Sequence, residues 1–210
     1  MGEGEQWIEA ADAAALEQTR AGFLRKAAIL GGGALAAGGA GFFVKAATAA
    51  TPAQHDIAIL NFALKLEYLE AEFYRRAVAG DFGRLNAEVR EFAEIVHSHE
   101  QAHVDTIRAT IPQLGGRAVG MPALKFPKLN QKTFIRTSIA LEGTGVGAYG
   151  GAFPTLKLAA VKKAALSIHS VEARHHAWVR RIAGVTPAPQ AFYTDLTAAQ
   201  VLKRAKPFFA

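Results

Sequence analysis

The chain has 210 residues, half of them hydrophobic, no cysteine, and 24 basic against 18 acidic side chains for a formal charge of +6. That apolar content excludes a wholly disordered chain, and the lack of cysteine excludes disulfides, thiolate metal sites and cysteine nucleophiles together. The basic residues form no long run and are not interleaved with aromatics, so the charge describes a solvated basic surface and no nucleic-acid partner is expected.

Residues 1–50 read as an export signal or anchor. An acidic lead, residues 1–18, has no assignable role. Residues 27–44, AAILGGGALAAGGAGFFV, carry no charge. Arg20, Arg25 and Lys26 precede this stretch, and Ala47-Thr48-Ala49 follows as an A-x-A cleavage site. A permanent anchor needs about 20 strongly apolar residues, and this glycine-diluted segment is at the lower edge, which favours cleavage. Thr19-Arg20-Ala21-Gly22-Phe23-Leu24-Arg25 resembles a twin-arginine motif but has Ala21 where the second arginine would stand. The expected location is therefore periplasmic or otherwise outside the cytoplasm. Membrane contact is expected only through residues 27–44, if they are retained.

Residues 51–185 read as four long helices. Thr51-Pro52-Ala53-Gln54 has the cap, the first-turn proline and the third-position glutamine of a helix start. That helix runs to Ala79, with Gly80 as its stop. A second is predicted from a cap at Asn86 to Thr110, ahead of Pro112. A third starts after Asn130 and ends before Pro154, and a fourth spans Thr155 to Ala183. Residues 186–210 form a tail, with a short helix over 197–207 and Phe208 and Phe209 packed on the outside of the bundle.

The links set the topology. Short turns at Gly80–Gly83 and Pro154 make antiparallel neighbours. The link over 111–129 reaches up to about 60 Å when extended, against about 33 Å for a 22-residue helix. It can run the length of the bundle, so the third helix is predicted to start at the far end, by a crossover.

Two helices carry Glu-x-x-His: Glu100-Gln-Ala-His103 and Glu172-Ala-Arg-His175. A spacing of three puts each pair on one helical face. On the first helix, Glu67 is flanked at helical spacing by Leu60, Ala63, Leu64, Ala71 and Tyr74, whereas Glu72 has Lys65, Arg75 and Arg76 in those places. Glu142, the lone acid of the third helix, lies among Ile135, Ile139, Val146 and Tyr149. A carboxylate in an apolar stripe has to be paired, protonated or metal-bound. Arginine pairing is the competing explanation, but Arg136 and Arg174 have the neighbours of solvent-facing residues.

An internal echo decides in favour of metal. Tyr74 follows Glu67 by seven residues, as Tyr149 follows Glu142. His97-x-x-Glu100-x-x-His103 is matched by His169-x-x-Glu172-x-x-His175. Glu70 matches Gly145, which favours Glu67 as the ligand and leaves Glu70 as an additional ligand or a neighbour of the ligands. His97 and His169 are either partners of the site or ordinary helix histidines. His99 and His176 are expected off the ligand face, at the surface.

The stretches LNFALKLEYLEAEFY, HEQAHVDTI, ALEGTGVGAYGGAFP and SVEARHHAWVR resemble the bacterial ferritin-like-domain family related to plant desiccation proteins, within the di-metal carboxylate superfamily. The likeness covers about residues 52–209. It implies an all-α ferritin-like bundle in which Glu67 and Glu142 are outer ligands, Glu100 and Glu172 bridge two metals, and His103 and His175 cap one metal each. It further implies that Tyr74 and Tyr149 donate hydrogen bonds to the carboxylates. Four carboxylates and two imidazoles carry a charge of about −4 and suit two divalent ions, iron or manganese before zinc.

The expected partners are those ions and a small oxidant, O₂ or H₂O₂; a homo-oligomer is compatible with the sequence. The leading expectation is a di-metal oxidase, peroxidase, catalase or ferroxidase. The alternative is a metal-stabilised structural or stress-protection bundle without turnover.

Overall fold

The computed structural model describes residues 50–210. The export features expected over residues 19–49 lie outside the described residues.

Helix α1 spans Pro52–Ala79, with Thr51 and Gln54 closing a reciprocal capping box and Gly80 ending it in the left-handed conformation, φ +87°. That conformation is one a side chain resists and glycine adopts freely. Helix α2 spans Ala87–Gln113 and is capped by Asn86. It does not stop before Pro112 as the sequence predicts. Leu114 N–H bonds back to Thr110 and Ile111 carbonyls, so the proline removes one backbone bond in a last turn that is otherwise closed.

Helix α3 spans Gln131–Ala152, with a capping box between Asn130 and Thr133. A 3₁₀ turn, Phe153–Thr155, follows it. Helix α4 then spans Ala159–Ile182, four residues later than predicted at its start. Its capping residue, Leu158, has no side-chain oxygen. The cap comes instead from α1: the fully buried Asp56 accepts from the backbone N–H of Lys157 at 2.9 Å and of Leu158 at 2.8 Å. This satisfies orphan donors and places negative charge at the positive end of α4. A short helix α5, Ala198–Ala205, closes the chain with a 3₁₀ turn over Lys206–Phe208.

Helix α1 packs chiefly on α2, and α3 chiefly on α4. The cap of α2 is hydrogen-bonded to the first residue of α3, Asn86 N to Gln131 Oε1 at 2.6 Å. Helix α3 therefore begins beside the start of α2, and the link between them crosses the bundle from end to end. Asn61 on α1 anchors that link by accepting from Val119 N and donating to Arg117 O. Among the described residues the regular structure is helical, apart from one isolated antiparallel bridge between Leu124 and Phe209. Phe208 lies against Phe126 of the crossover, ring centroids 6.0 Å apart. No helix among the described residues is long and apolar enough to cross a membrane.

The core has two apolar clusters. One gathers Phe73, Phe82, Phe92 and Phe134 with the ring of Tyr74; the other gathers Leu64, Ile107, Ile111 and Val161 with the ring of Tyr149. The hydroxyls of both tyrosines reach carboxylates of the opposite helix pair. The glycines of α3 let the tail settle on it: Leu196 N–H donates to Gly147 O at 2.9 Å, and a Cβ on Gly151 would fall 2.2 Å from Leu196 O.

Candidate metal centre

Each long helix delivers acids to one interior point because helical spacing places them on its core face. Glu67, Glu100, Glu142 and Glu172 are at most 1% exposed, and His103 and His175 are buried with them. Their ligand atoms form two groups, Glu67, Glu100, His103 and Glu172, and Glu100, Glu142, Glu172 and His175. Glu100 and Glu172 belong to both. The structure thus brings together all six residues that the sequence singles out as ligands.

His103 Nδ1 lies 3.2 Å from Glu67 Oε2, 3.3 Å from Glu100 Oε2 and 3.3 Å from Glu172 Oε1. His175 Nδ1 lies 3.1 Å from Glu100 Oε1 and 3.3 Å from Glu142 Oε2. Two of these contacts, His103 to Glu172 and His175 to Glu100, cross between the helix pairs and are counterparts of each other, as a pseudo-twofold arrangement requires. The second set is close without being aligned as hydrogen bonds: Glu100 Oε1, Glu142 Oε2 and His175 Nδ1 have no hydrogen-bond partner, nor have Glu67 Oε2 and both oxygens of Glu172. Six buried lone-pair atoms without a proton partner would be costly in a sealed core. Nitrogen and oxygen donors converging without bonding each other are a donor set that fits divalent cations, and the site is suited to hold a metal.

The hydroxyl of Tyr74 on α1 donates to Glu142 Oε1 on α3, and that of Tyr149 on α3 donates to Glu67 Oε1 on α1. Each outer carboxylate keeps its other oxygen facing a histidine. Burial, then the adjacent glutamate, pushes both phenols well above their ordinary range, so they stay protonated and remain donors. Burial also raises Glu67, to about 7, against the lowering pull of His103. Burial and then the charges of neighbouring carboxylates raise Glu172 and Glu70 well above the usual range. Glu100 goes the other way: burial would raise it, but His103 and His175 together hold it below its ordinary value.

Glu70 is 4% exposed, and its Oε1 has no partner. It faces Gly145 of α3, where a Cβ would lie 2.6 Å from Glu172 Oε2 and 3.5 Å from Glu70 Oε1. The one break in the internal echo is therefore a steric exchange: carboxylates occupy the room that a side chain at 145 would need.

His97 and His169 are half-buried, and each has one ring nitrogen, Nδ1 and Nε2 respectively, that is buried and without a partner. Neither belongs to the two ligand groups. His169 packs edge-on against Tyr193 of the tail, centroids 4.7 Å apart. His99 corrects the sequence expectation. It is half-buried, and its Nδ1 lies 2.9 Å from His175 Nε2. With His175 Nδ1 turned to the carboxylates, Nε2 carries the proton and donates it to His99, which fixes the tautomer and plane of the His175 ring. Burial and then the neighbouring His175 ring hold His99 down at about 4, so it is neutral and able to accept. His176 is also half-buried, 3.1 Å from where a Cβ on Gly143 would lie.

The family model described as a ferritin-like domain matches residues 55–185. No curated protein matches the chain.

Proposed function

The chain belongs to the ferritin-like domain family, and on that premise we propose that it binds two iron or manganese ions and uses them on O₂ or H₂O₂ outside the cytoplasm. The observation that supports this reading is the pair of ligand groups sharing Glu100 and Glu172, with their buried oxygens unpartnered. Glu67 and His103 would hold one ion, and Glu142 and His175 the other. Two redox ions supply paired electrons for reducing dioxygen or peroxide.

The chain's own residues make the place for that chemistry. Tyr74 and Tyr149 fix one oxygen of each outer carboxylate and leave the other free to ligate. His99 orients His175. The apolar clusters on either side leave Glu67, Glu100, Glu142 and Glu172 at most 1% exposed. Export rests on the charged flank, the uncharged stretch and the A-x-A motif within residues 20–49.

Elemental analysis of protein purified from its own host tests the reading, together with O₂ and H₂O₂ consumption. Two equivalents of iron or manganese, lost in Glu100→Ala, are expected. Stoichiometric metal with turnover no faster than the free ion would favour a metal-stabilised structural bundle instead. Amino-terminal sequencing of the exported protein should begin at Ala50.

A further inference from the structure

We propose that the cleft between α1, α3 and the C-terminal segment binds an organic monoanion with an apolar body, its charged end on Arg204 and its body along Leu66, Leu141 and Phe208. The proposal rests on the metal-centre reading only for what lies beyond the cleft's inner end.

The cleft has a volume of about 320 Å³. A single water needs about 10–15 Å³ of such space, so dioxygen or peroxide would fill a small part of it. The volume sits at the low end of small-molecule sites, about 300–1,000 Å³. A passage for the oxidant alone would not need this room.

The walls state the chemistry of the occupant. Leu66, Leu141 and Phe208 make the sides apolar, and exposed Arg204 stands at the rim. The arginines in ion pairs among the described residues are Arg75, Arg76, Arg90 and Arg108, which leaves Arg204 without a carboxylate. A guanidinium at the rim repels a free cation and attracts an anion. At the inner end, Glu70 is buried and its Oε1 is unpartnered. Gly145 also lines the cleft, and the space beside it is bounded by Glu172 Oε2. The inner end of the cleft is thus the wall of the carboxylate cluster. Apolar walls with one cation at the outer end select a molecule with an anionic head and an apolar body.

The test uses the full chain, octanoate as the anionic probe and octan-1-ol as the neutral one, with calorimetry for binding and elemental analysis for metal. Octanoate should bind saturably to the wild type. Arg204→Gln should weaken octanoate by about fivefold, the upper reach of an exposed ion pair, and leave octanol unchanged. Ala140→Trp, at an exposed position lining the cleft, should block both probes by filling it. Both variants should keep the wild-type metal content. Absence of saturable octanoate binding to the wild type, or binding indifferent to both substitutions, would overturn the proposal. A wild type that takes up octanoate as expected but holds no metal would sink the metal reading and leave the cleft standing.

Discussion

Glu142 and Glu67 each give one oxygen to a tyrosine from the opposite helix pair and turn the other toward a histidine. Tyr74→Phe keeps the ring that packs on Phe73 and Phe92 and removes only the donor. Metal affinity should fall by about 10- to 100-fold, the usual loss when a ligand's orienting partner is removed, with far-ultraviolet circular dichroism unchanged. An affinity equal to wild type would reduce the tyrosines to packing. Gly145→Ala separates stability from chemistry more sharply. Alanine favours a helix interior by about 1 kcal/mol over glycine, and the atom it would meet, Glu172 Oε2 at 2.6 Å, ends a flexible side chain that can swing away. The metal-free variant should melt no lower than wild type, while its metal content collapses. The convergence of Glu67, Glu100, His103, Glu142, Glu172 and His175 was legible in the sequence because an acid in an apolar stripe is costly and the pattern is doubled. His99 was not. It neighbours Glu100 in sequence and so points away from it, and its partner is His175 on another helix. Its spacing of four from His103 was the one available signal.

At the scale of the helix, the sequence marks ends well where the cap is local and poorly where it is not. Thr51 with Gln54 and Asn130 with Thr133 close their boxes within four residues, and both starts were legible. The start of α4 is set by Asp56, about a hundred residues earlier, so local spacing placed it at Thr155 and not at Ala159. Asp56→Ala should cost about 0.5–2 kcal/mol, because it removes the cap from the partly buried backbone donors of Lys157 and Leu158. Denaturant unfolding measures this directly, and a loss under half a kcal/mol would mean water replaces the carboxylate. Glu72 is the contrast. Arg75 and then Arg76 hold its carboxyl down at about 2 against some burial. A depressed carboxylate adds stability above its unfolded value of 4.5 and loses it as pH falls toward about 2. The pair is partly exposed, so Glu72→Gln should cost less than about 1 kcal/mol at neutral pH, with the difference fading as pH falls through about 2.

For the molecule as a whole, two helical hairpins and a crossover follow from loop lengths, which is why the topology was legible before any coordinate. The packing of the tail on the glycine face of α3 was not, since sequence periodicity carries no information on what fills a groove. The carboxylate centre, where the hairpins meet, should make global stability a function of both pH and metal. In protein stripped by a chelator, Glu67 is raised from 4.5 to about 7. A raised carboxyl adds stability below 4.5 and loses it as pH climbs through about 7, so the stripped protein should melt progressively lower over that range. Raised Glu172 and Glu70 extend the decline to higher pH. Metal acts in the opposite sense, because ligation releases those protons and so strengthens with pH. Free ion at a hundredfold over its dissociation constant adds about 2.7 kcal/mol, which in a domain of this size is a rise of about 5–10 °C. The gap in melting temperature between loaded and stripped protein should therefore widen from pH 5 to pH 8. A gap that is absent, or constant across that range, would mean that the buried acids are not where the ion binds.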